Sequence, residues 1–261
     1  MREASRSDLP PYCWPDPPAH TGLSCGDVHV WCASLDRLLP GLPALVRTLS
    51  EDERKRSERF RFKQDRMRFT LCRGTLRGIL SRYLAVSPAQ VRFCATARGK
   101  PALADANGGD RLRFNLSHSH GYVLYAITGG VEIGVDLERV RPVPEADQIV
   151  RRFFSSTEND AYFALPPARR PEAFFNCWTR KEAYLKATGE GFFRPLDRFD
   201  VSFVPDAPAR LLRVDGDPDE ALRWSLQALT PVAGYAAALV TEGPRGRLSC
   251  WRWSAPWEDH R

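Results

Sequence analysis

Short stretches of two-residue alternation and longer stretches of three-to-four-residue periodicity follow one another along the chain. Residues 27–33 (Asp-Val-His-Val-Trp-Cys-Ala) alternate as a strand does, successive side chains facing opposite ways. Ser50 with Glu53 has the spacing of a capping box and predicts a helix start. Residues 63–84 predict a long amphipathic helix, and 91–95, 111–117 and 122–128 predict strands. The order then recurs. Residues 132–138 predict a strand, Ser155 and Ser156 with Glu158 open a helix, and 170–188 predict a longer one. Residues 199–204, 222–229, 234–241 and 247–253 predict a strand-rich end.

The recurrence has a constant shift of 105 positions (28 to 133). Val28, Val30 and Cys32 fall on Ile133, Val135 and Leu137; Ser50 and Glu53 on Ser155 and Glu158; Phe69, Cys72 and Leu80 on Phe174, Cys177 and Leu185. Identity across the shift is low, so the repeat is one of pattern. It predicts an α+β chain of two similar halves, residues 25–128 and 129–261, with the ligand cleft between them. Residues 1–24 are Pro-rich, lack periodicity and predict a loosely ordered arm.

Composition narrows the picture. A chain of 261 residues with 43% hydrophobic and 27% charged residues is an ordinary globular protein of one large or two smaller domains. Its net charge of +6 permits an anionic partner. The seven cysteines are scattered with no CxxC pair, which argues for a reducing, cytoplasmic setting and against a disulfide scaffold or zinc site. There is no secretory signal pattern at the start and no apolar run of membrane-spanning length. The basic segment 53–63 mixes its cations with Glu and Asp, so it reads as a solvated helix rather than a nucleic-acid patch. P-loop, GxGxxG, GxSxG and HExxH motifs are absent.

Two segments carry the chemistry. On the strand at 132–138, Asp136 and Glu138 share a face, their Cα atoms about 6–7 Å apart, with Val135 and Leu137 on the other. Paired hard oxygens suit Mg²⁺, although such a pair alone is more often a strand's solvent face. On the helix at 170–188, Phe174, Trp178, Lys181, Glu182 and Leu185 crowd one side, with Phe175 and Lys186 at its edge. Charges bordering an aromatic, inward face are costly without partners, and a metal for Glu182 with a phosphate for Lys186 would supply them. Phe114-Asn-Leu-Ser117-His118 ends in a hydroxyl and an imidazole able to grip phosphate, and the turn Arg98-Gly-Lys100-Pro101 presents two cations. Each is weak by itself. His120 reads as a surface residue.

Taken in order, Gly-Lys100-Pro101, Phe-Asn-Leu-Ser117-His118-Ser, Gly-Val-Asp136-Leu-Glu138, Arg-Phe-Phe-Ser155-Ser-Thr-Glu158 and Trp-Thr-Arg-Lys181-Glu182-Ala-Tyr-Leu-Lys186 resemble the 4′-phosphopantetheinyl transferases of the long, monomeric Sfp type. The resemblance spans about residues 49–191, and Gly234-Tyr-Ala-Ala-Ala resembles the family's last core strand. It implies two α+β halves related by a pseudo-twofold axis, with coenzyme A between them. The reaction implied is transfer of the phosphopantetheine arm to a serine of an apo acyl or peptidyl carrier protein, releasing adenosine 3′,5′-bisphosphate. Asp136, Glu138 and Glu182 match the family's metal triad for Mg²⁺, with Mn²⁺ as an alternative. Glu182 is the implied proton acceptor, and Lys186 would steady the transferring phosphate. Ser117, His118, Arg56, Arg98, Lys100, Pro101 and Lys181 match or adjoin positions that hold the nucleotide. Acidic carriers would suit a basic surface, of which Arg139, Arg141, Arg151 and Arg152 are candidates. Two departures stand out: Glu53 where some relatives carry a cation, and Lys-Glu-Ala in place of Lys-Glu-Ser. The alternatives are a catalytically silent coenzyme A or nucleotide module of the same fold and a basic nucleic-acid-binding protein; neither nucleic acid nor membrane is an expected partner.

Overall fold

The fold, a computed structural model, describes residues 14–18, 21–24, 26–107, 109–191 and 194–253. Its strands are β1 (Val28–Ser34), β2 (Phe93–Ala95), β3 (Pro101–Leu103), β4 (Arg113–Ser119), β5 (Tyr122–Thr128), β6 (Ile133–Arg139), β7 (Phe199–Val201), β8 (Leu211–Val214), β9 (Trp224–Leu229), β10 (Tyr235–Glu242) and β11 (Leu248–Arg252). Its helices are α1 (Leu35–Leu38), α2 (Leu42–Thr48), α3 (Glu51–Glu58), α4 (Lys63–Leu84), α5 (Ala146–Phe153), α6 (Ser156–Ala164), α7 (Arg170–Thr188) and α8 (Glu220–Arg223). Both anticipated capping boxes form: Ser50 and Glu53 start α3, and Ser155 and Glu158 start α6. The two long helices end on left-handed residues, Ala85 and Gly189.

One sheet runs β11-β1-β5-β4 and a second β6-β10-β9. Val28, Val30 and Cys32 of β1 share a buried layer with Ile133, Val135 and Leu137 of β6, closed by Leu124, Ala126, Ala237 and Leu239. These are the two rows that the 105-residue shift superposes. The opposite row of β1, Trp31 and Ala33, packs with Leu71, Leu76, Ile79 and Leu80 of α4. In β6 the corresponding row is Gly134, Asp136 and Glu138, and it faces α7. A Cβ at Gly134 would fall on Ala183 O and Ala187 N and lie 2.9 Å from Ala187 Cα, so only glycine lets α7 lie this close to β6.

The sheets meet where β4 runs beside β6, and here side chains replace a backbone ladder. Val135 N donates to Asn115 Oδ1 at 3.0 Å, Leu137 N to Ser117 Oγ at 3.3 Å and Arg139 N to Ser119 Oγ at 3.2 Å. The constant separation of 20 residues makes the two strands parallel.

Two contacts cross the boundaries expected from the sequence. The cut at residue 129 does not separate the sheets, because β11 returns to pair in parallel with β1, Val30 opposite Cys250. Its Trp251 packs beside His29 and Trp31. Residues 1–13, 19 and 20 of the Pro-rich arm lie outside the described residues, but its described part is held to the body. Trp14 joins the inter-sheet core, Arg252 N donates to Pro15 O at 2.9 Å, and Arg252 pairs with Asp16. Helices α1, α2 and α5 and strands β3 and β8 lie where no element was anticipated.

Candidate active site at the seam between the halves

Asp136 is buried and grasped from two sides. Ser117 Oγ donates to its Oδ1 at 2.7 Å, and Lys186 Nζ donates to the same oxygen at 2.6 Å and to Val135 O at 3.3 Å. Its Oδ2 is buried with no hydrogen-bond partner. Two residues on, Glu138 Oε2 accepts from Ser119 Oγ at 2.7 Å. Burial raises the Glu138 carboxyl above its ordinary pKa, and Asp136 adds to the effect against the opposing pull of Ser119 and Lys186. Glu182, one turn before Lys186 on α7, is raised by burial first, then by Asp136 and Glu138. Three carboxylates thus repel one another in a half-buried site with one ammonium among them.

Among the described residues no three carboxylate, imidazole or thiol groups close up tightly enough to enclose an ion, and Lys186 sits on the oxygen of Asp136. The donors nevertheless fit a hard divalent cation. They are all oxygens, one of them a buried carboxylate oxygen without a partner, and a cation would relieve the repulsion that raises Glu138 and Glu182.

A cavity of about 310 Å³ adjoins this site, lined by Arg56, Arg68, Phe69, Arg73 and His118 among others. Burial lowers the His118 pKa first, and the cations of Arg68 and Lys186 lower it further. Arg73 stacks on Phe93 and pairs with Glu53 at 3.3 Å, yet its Nη1 is buried with no partner. Apart from Asp65 the charged side chains of the lining are cationic, so an anion would find favourable partners there. Arg56 and His118, singled out from sequence, are brought together here. Arg68 and Arg73 were not singled out. They belong to a stripe on α4, with Asp65, Phe69, Cys72 and Leu76, at the three- and four-residue spacing of one helix face, and that stripe was the available signal.

Other expected residues lie elsewhere or are differently engaged. Lys181 is corrected outright: it is 0% exposed, paired with Glu158 at 2.8 Å, and donates to Leu196 O and Phe199 O. A cation saturated inside the second-half core does not reach a phosphate. Lys100 spends its three hydrogens on Glu132 Oε2, Ile133 O and Ala187 O, tying its turn to the start of β6 and the end of α7. Ser117 gives its hydrogen to Asp136 and accepts from Leu137 N, so it braces the site. Arg98 pairs with Glu190 at 3.7 Å and lines a separate cavity of about 720 Å³ with Arg194 and Arg198. Pro101 opens β3, opposite Ala95. Glu53 is a structural residue, capping α3 and pairing with Arg77 at 2.8 Å.

Comparison with known proteins supplies the family. Residues 132–240 match the 4′-phosphopantetheinyl transferase superfamily, and residues 39–129 match the 4′-phosphopantetheinyl transferase N-terminal family. The chain is 40% identical to the 4′-phosphopantetheinyl transferase HetI of Nostoc sp., over 92% of this chain and 97% of that one. It is 35% identical to a putative 4′-phosphopantetheinyl transferase of Synechocystis sp. over 77% of this chain and 78% of the relative. To the 4′-phosphopantetheinyl transferase Sfp of Bacillus subtilis it is 32% identical over 60% of this chain and 68% of the relative. The chain belongs to the 4′-phosphopantetheinyl transferase superfamily, as a long Sfp-type member with two α+β halves. It is an enzyme that transfers 4′-phosphopantetheine to carrier proteins.

Proposed function

We propose that the donor is coenzyme A and the acceptor a serine hydroxyl of an apo acyl or peptidyl carrier protein, with adenosine 3′,5′-bisphosphate as leaving product. Asp136, Glu138 and Glu182 hold one divalent cation, Mg²⁺ or Mn²⁺. The observation that carries this reading is the partnerless, buried Asp136 Oδ2 within a group of three mutually repelling carboxylates. When bound, the cation supplies positive charge against the pyrophosphate. Lys186, on the same helix as Glu182, donates to the phosphate that transfers. Glu182, its carboxyl made more basic by burial and by its neighbours, accepts the proton of the acceptor serine. Arg56, Arg68, Arg73 and His118 bind a phosphate of the nucleotide, and the unpaired Arg73 Nη1 supports this placement. Arg98 is exposed enough to reach the nucleotide, whereas Lys100 fixes the turn that carries it and Pro101. The enzyme works as a cytoplasmic monomer on an acidic carrier, to which the net charge of +6 is suited.

The test is a mass measurement on a panel of apo carriers incubated with coenzyme A and Mg²⁺. A gain of about 340 Da, the mass of the transferred arm, is expected with wild-type enzyme and is lost with Glu182→Gln or on chelation of the metal. Undiminished gain in Glu182→Gln would remove that residue from the reaction, and no gain with any carrier would overturn the reading.

A further inference from the structure

The hydroxyls of β4 do two things at once. Ser117 Oγ accepts the amide of Leu137 and donates to the carboxylate of Asp136; Ser119 Oγ accepts the amide of Arg139 and donates to the carboxylate of Glu138. Each serine therefore clamps a carboxylate to the backbone of the residue that follows it, at 2.7 Å in both cases. Asn115 makes the same kind of seam bond to Val135 N at 3.0 Å but touches no carboxylate.

Hydrogen counting shows how firmly Ser119 is set. A hydroxyl has one hydrogen and two lone pairs. With Glu138 ionised, the hydrogen goes to its Oε2 and one lone pair takes Arg139 N–H. The second lone pair faces His120 Nδ1 at 3.1 Å, which makes His120 the Nδ1–H tautomer. His120 holds a left-handed backbone, φ 50°, in the turn from β4 to β5. A residue without Gly's freedom is kept there with its ring folded back on Ser119. The rotation of the hydroxyl, and with it the orientation of the Glu138 carboxylate, is fixed from three directions.

We propose that Ser119 is a positioning residue for the divalent-cation site. By occupying Glu138 Oε2 from the first half of the molecule, it turns the other carboxylate oxygen toward Asp136 and Glu182. Ser117 does the same for Asp136, leaving Oδ2 free. The first half thus builds the site without contributing a ligand, and aligning the halves is part of aligning the carboxylates. This rests on the reading of Asp136 and Glu138 as cation ligands.

The experiment compares wild type, Ser119→Ala, Ser119→Thr and Asn115→Ala as full chains. Mn²⁺ binding in the presence of coenzyme A is followed by loss of the free-ion paramagnetic resonance signal, and each variant's thermal midpoint is measured alongside. Loss of a hydrogen-bonding neighbour of a metal ligand typically weakens affinity about 10- to 100-fold. Ser119→Ala is expected to weaken Mn²⁺ binding by at least about tenfold, with Ser119→Thr restoring it. Asn115→Ala loses a comparable seam bond and is expected to lower the midpoint similarly while binding Mn²⁺ as wild type does. Equal Mn²⁺ affinity in wild type and Ser119→Ala, or equal weakening in Ser119→Ala and Asn115→Ala, would overturn the positioning role alone. Failure of the wild type to bind Mn²⁺ would overturn the cation reading and this proposal with it.

Discussion

His29 is 2% exposed and must stay neutral to keep its neighbours satisfied. Tyr83 Oη accepts from Trp31 Nε1 at 2.9 Å and lies 2.9 Å from His29 Nδ1, which in the Nε2–H tautomer of the neutral ring takes the tyrosine hydrogen. A protonated His29 would donate there instead and leave the tyrosine hydrogen without an acceptor. Burial lowers the His29 pKa below 6.5, with Arg247 acting in the same direction and Asp27 opposing. The folded state therefore takes up its proton at lower pH than the unfolded chain. The stability is fully present above about pH 6.5 and is lost as pH falls from there toward the depressed value. Glu138 and Glu182, being raised, act with the opposite sign as pH falls, so wild type must be compared with a variant. In His29→Gln the fall in melting temperature between pH 7.5 and 5.5 should be smaller than in wild type; parallel curves would show that His29 is not titrating. Lys181 shows what residue types leave open. A helix wheel places it beside Glu182 but cannot say whether a cation at an aromatic face meets a ligand or a buried carboxylate. Only the fold of α6 brings Glu158 to it. Lys181→Met should cost about 3–5 kcal/mol in urea unfolding, since it strands a buried carboxylate, while the KM for coenzyme A of the folded enzyme stays unchanged. A raised KM with unaltered stability would return Lys181 to the binding site.

Helix α7 sets two of the site's charged groups, and its height above β6 depends on one position. At Gly134 the helix backbone occupies the place of a side chain, so the sequence Ile-Gly-Val-Asp136 carries packing information as well as chemistry. Gly134→Ala should destabilise by roughly 1–3 kcal/mol through overpacking. Activity should fall further than the folded fraction does, because lifting α7 moves Glu182 and Lys186 away from Asp136. Assaying transfer at a temperature where circular dichroism shows the variant folded checks this; activity proportional to folded fraction would mean that the helix height is not critical. At this scale the sequence was highly legible. Two-residue alternation and helical periodicity located β1, β5, β6, α4 and α7 to within a residue or so, since each buries one regular face. Elements built on few apolar positions escaped. Strands β3 and β8 have three and four residues, and α5 buries only Val150 in the core.

The 105-residue recurrence anticipated two halves because both use one strand face against the other half and the opposite face against a long helix. It was silent on what joins them. Periodicity can show that residues 247–253 form a strand, but not which sheet takes it, and β11 pairs with β1. Nor does a Ser-x-Ser alternation announce that hydroxyls will replace a ladder, because β4 reads as an ordinary strand until β6 lies beside it. Both joints cross the boundary between halves, and the shared layer of Val30, Leu124, Val135 and Leu239 is buried only while they are together. Opening either half exposes that layer and frees Asp136 and Glu138 from their serines. The halves should therefore unfold as one cooperative unit, despite their similarity. Native-state hydrogen exchange in rising urea tests this. The slowest amides of β5, in the first sheet, and of β10, in the second, should share one opening free energy and one urea slope, as members of a single global unfolding do. A lower free energy and shallower slope confined to β6, β9 and β10 would show that the second half opens by itself, and the carboxylate site would then be assembled only when the halves dock.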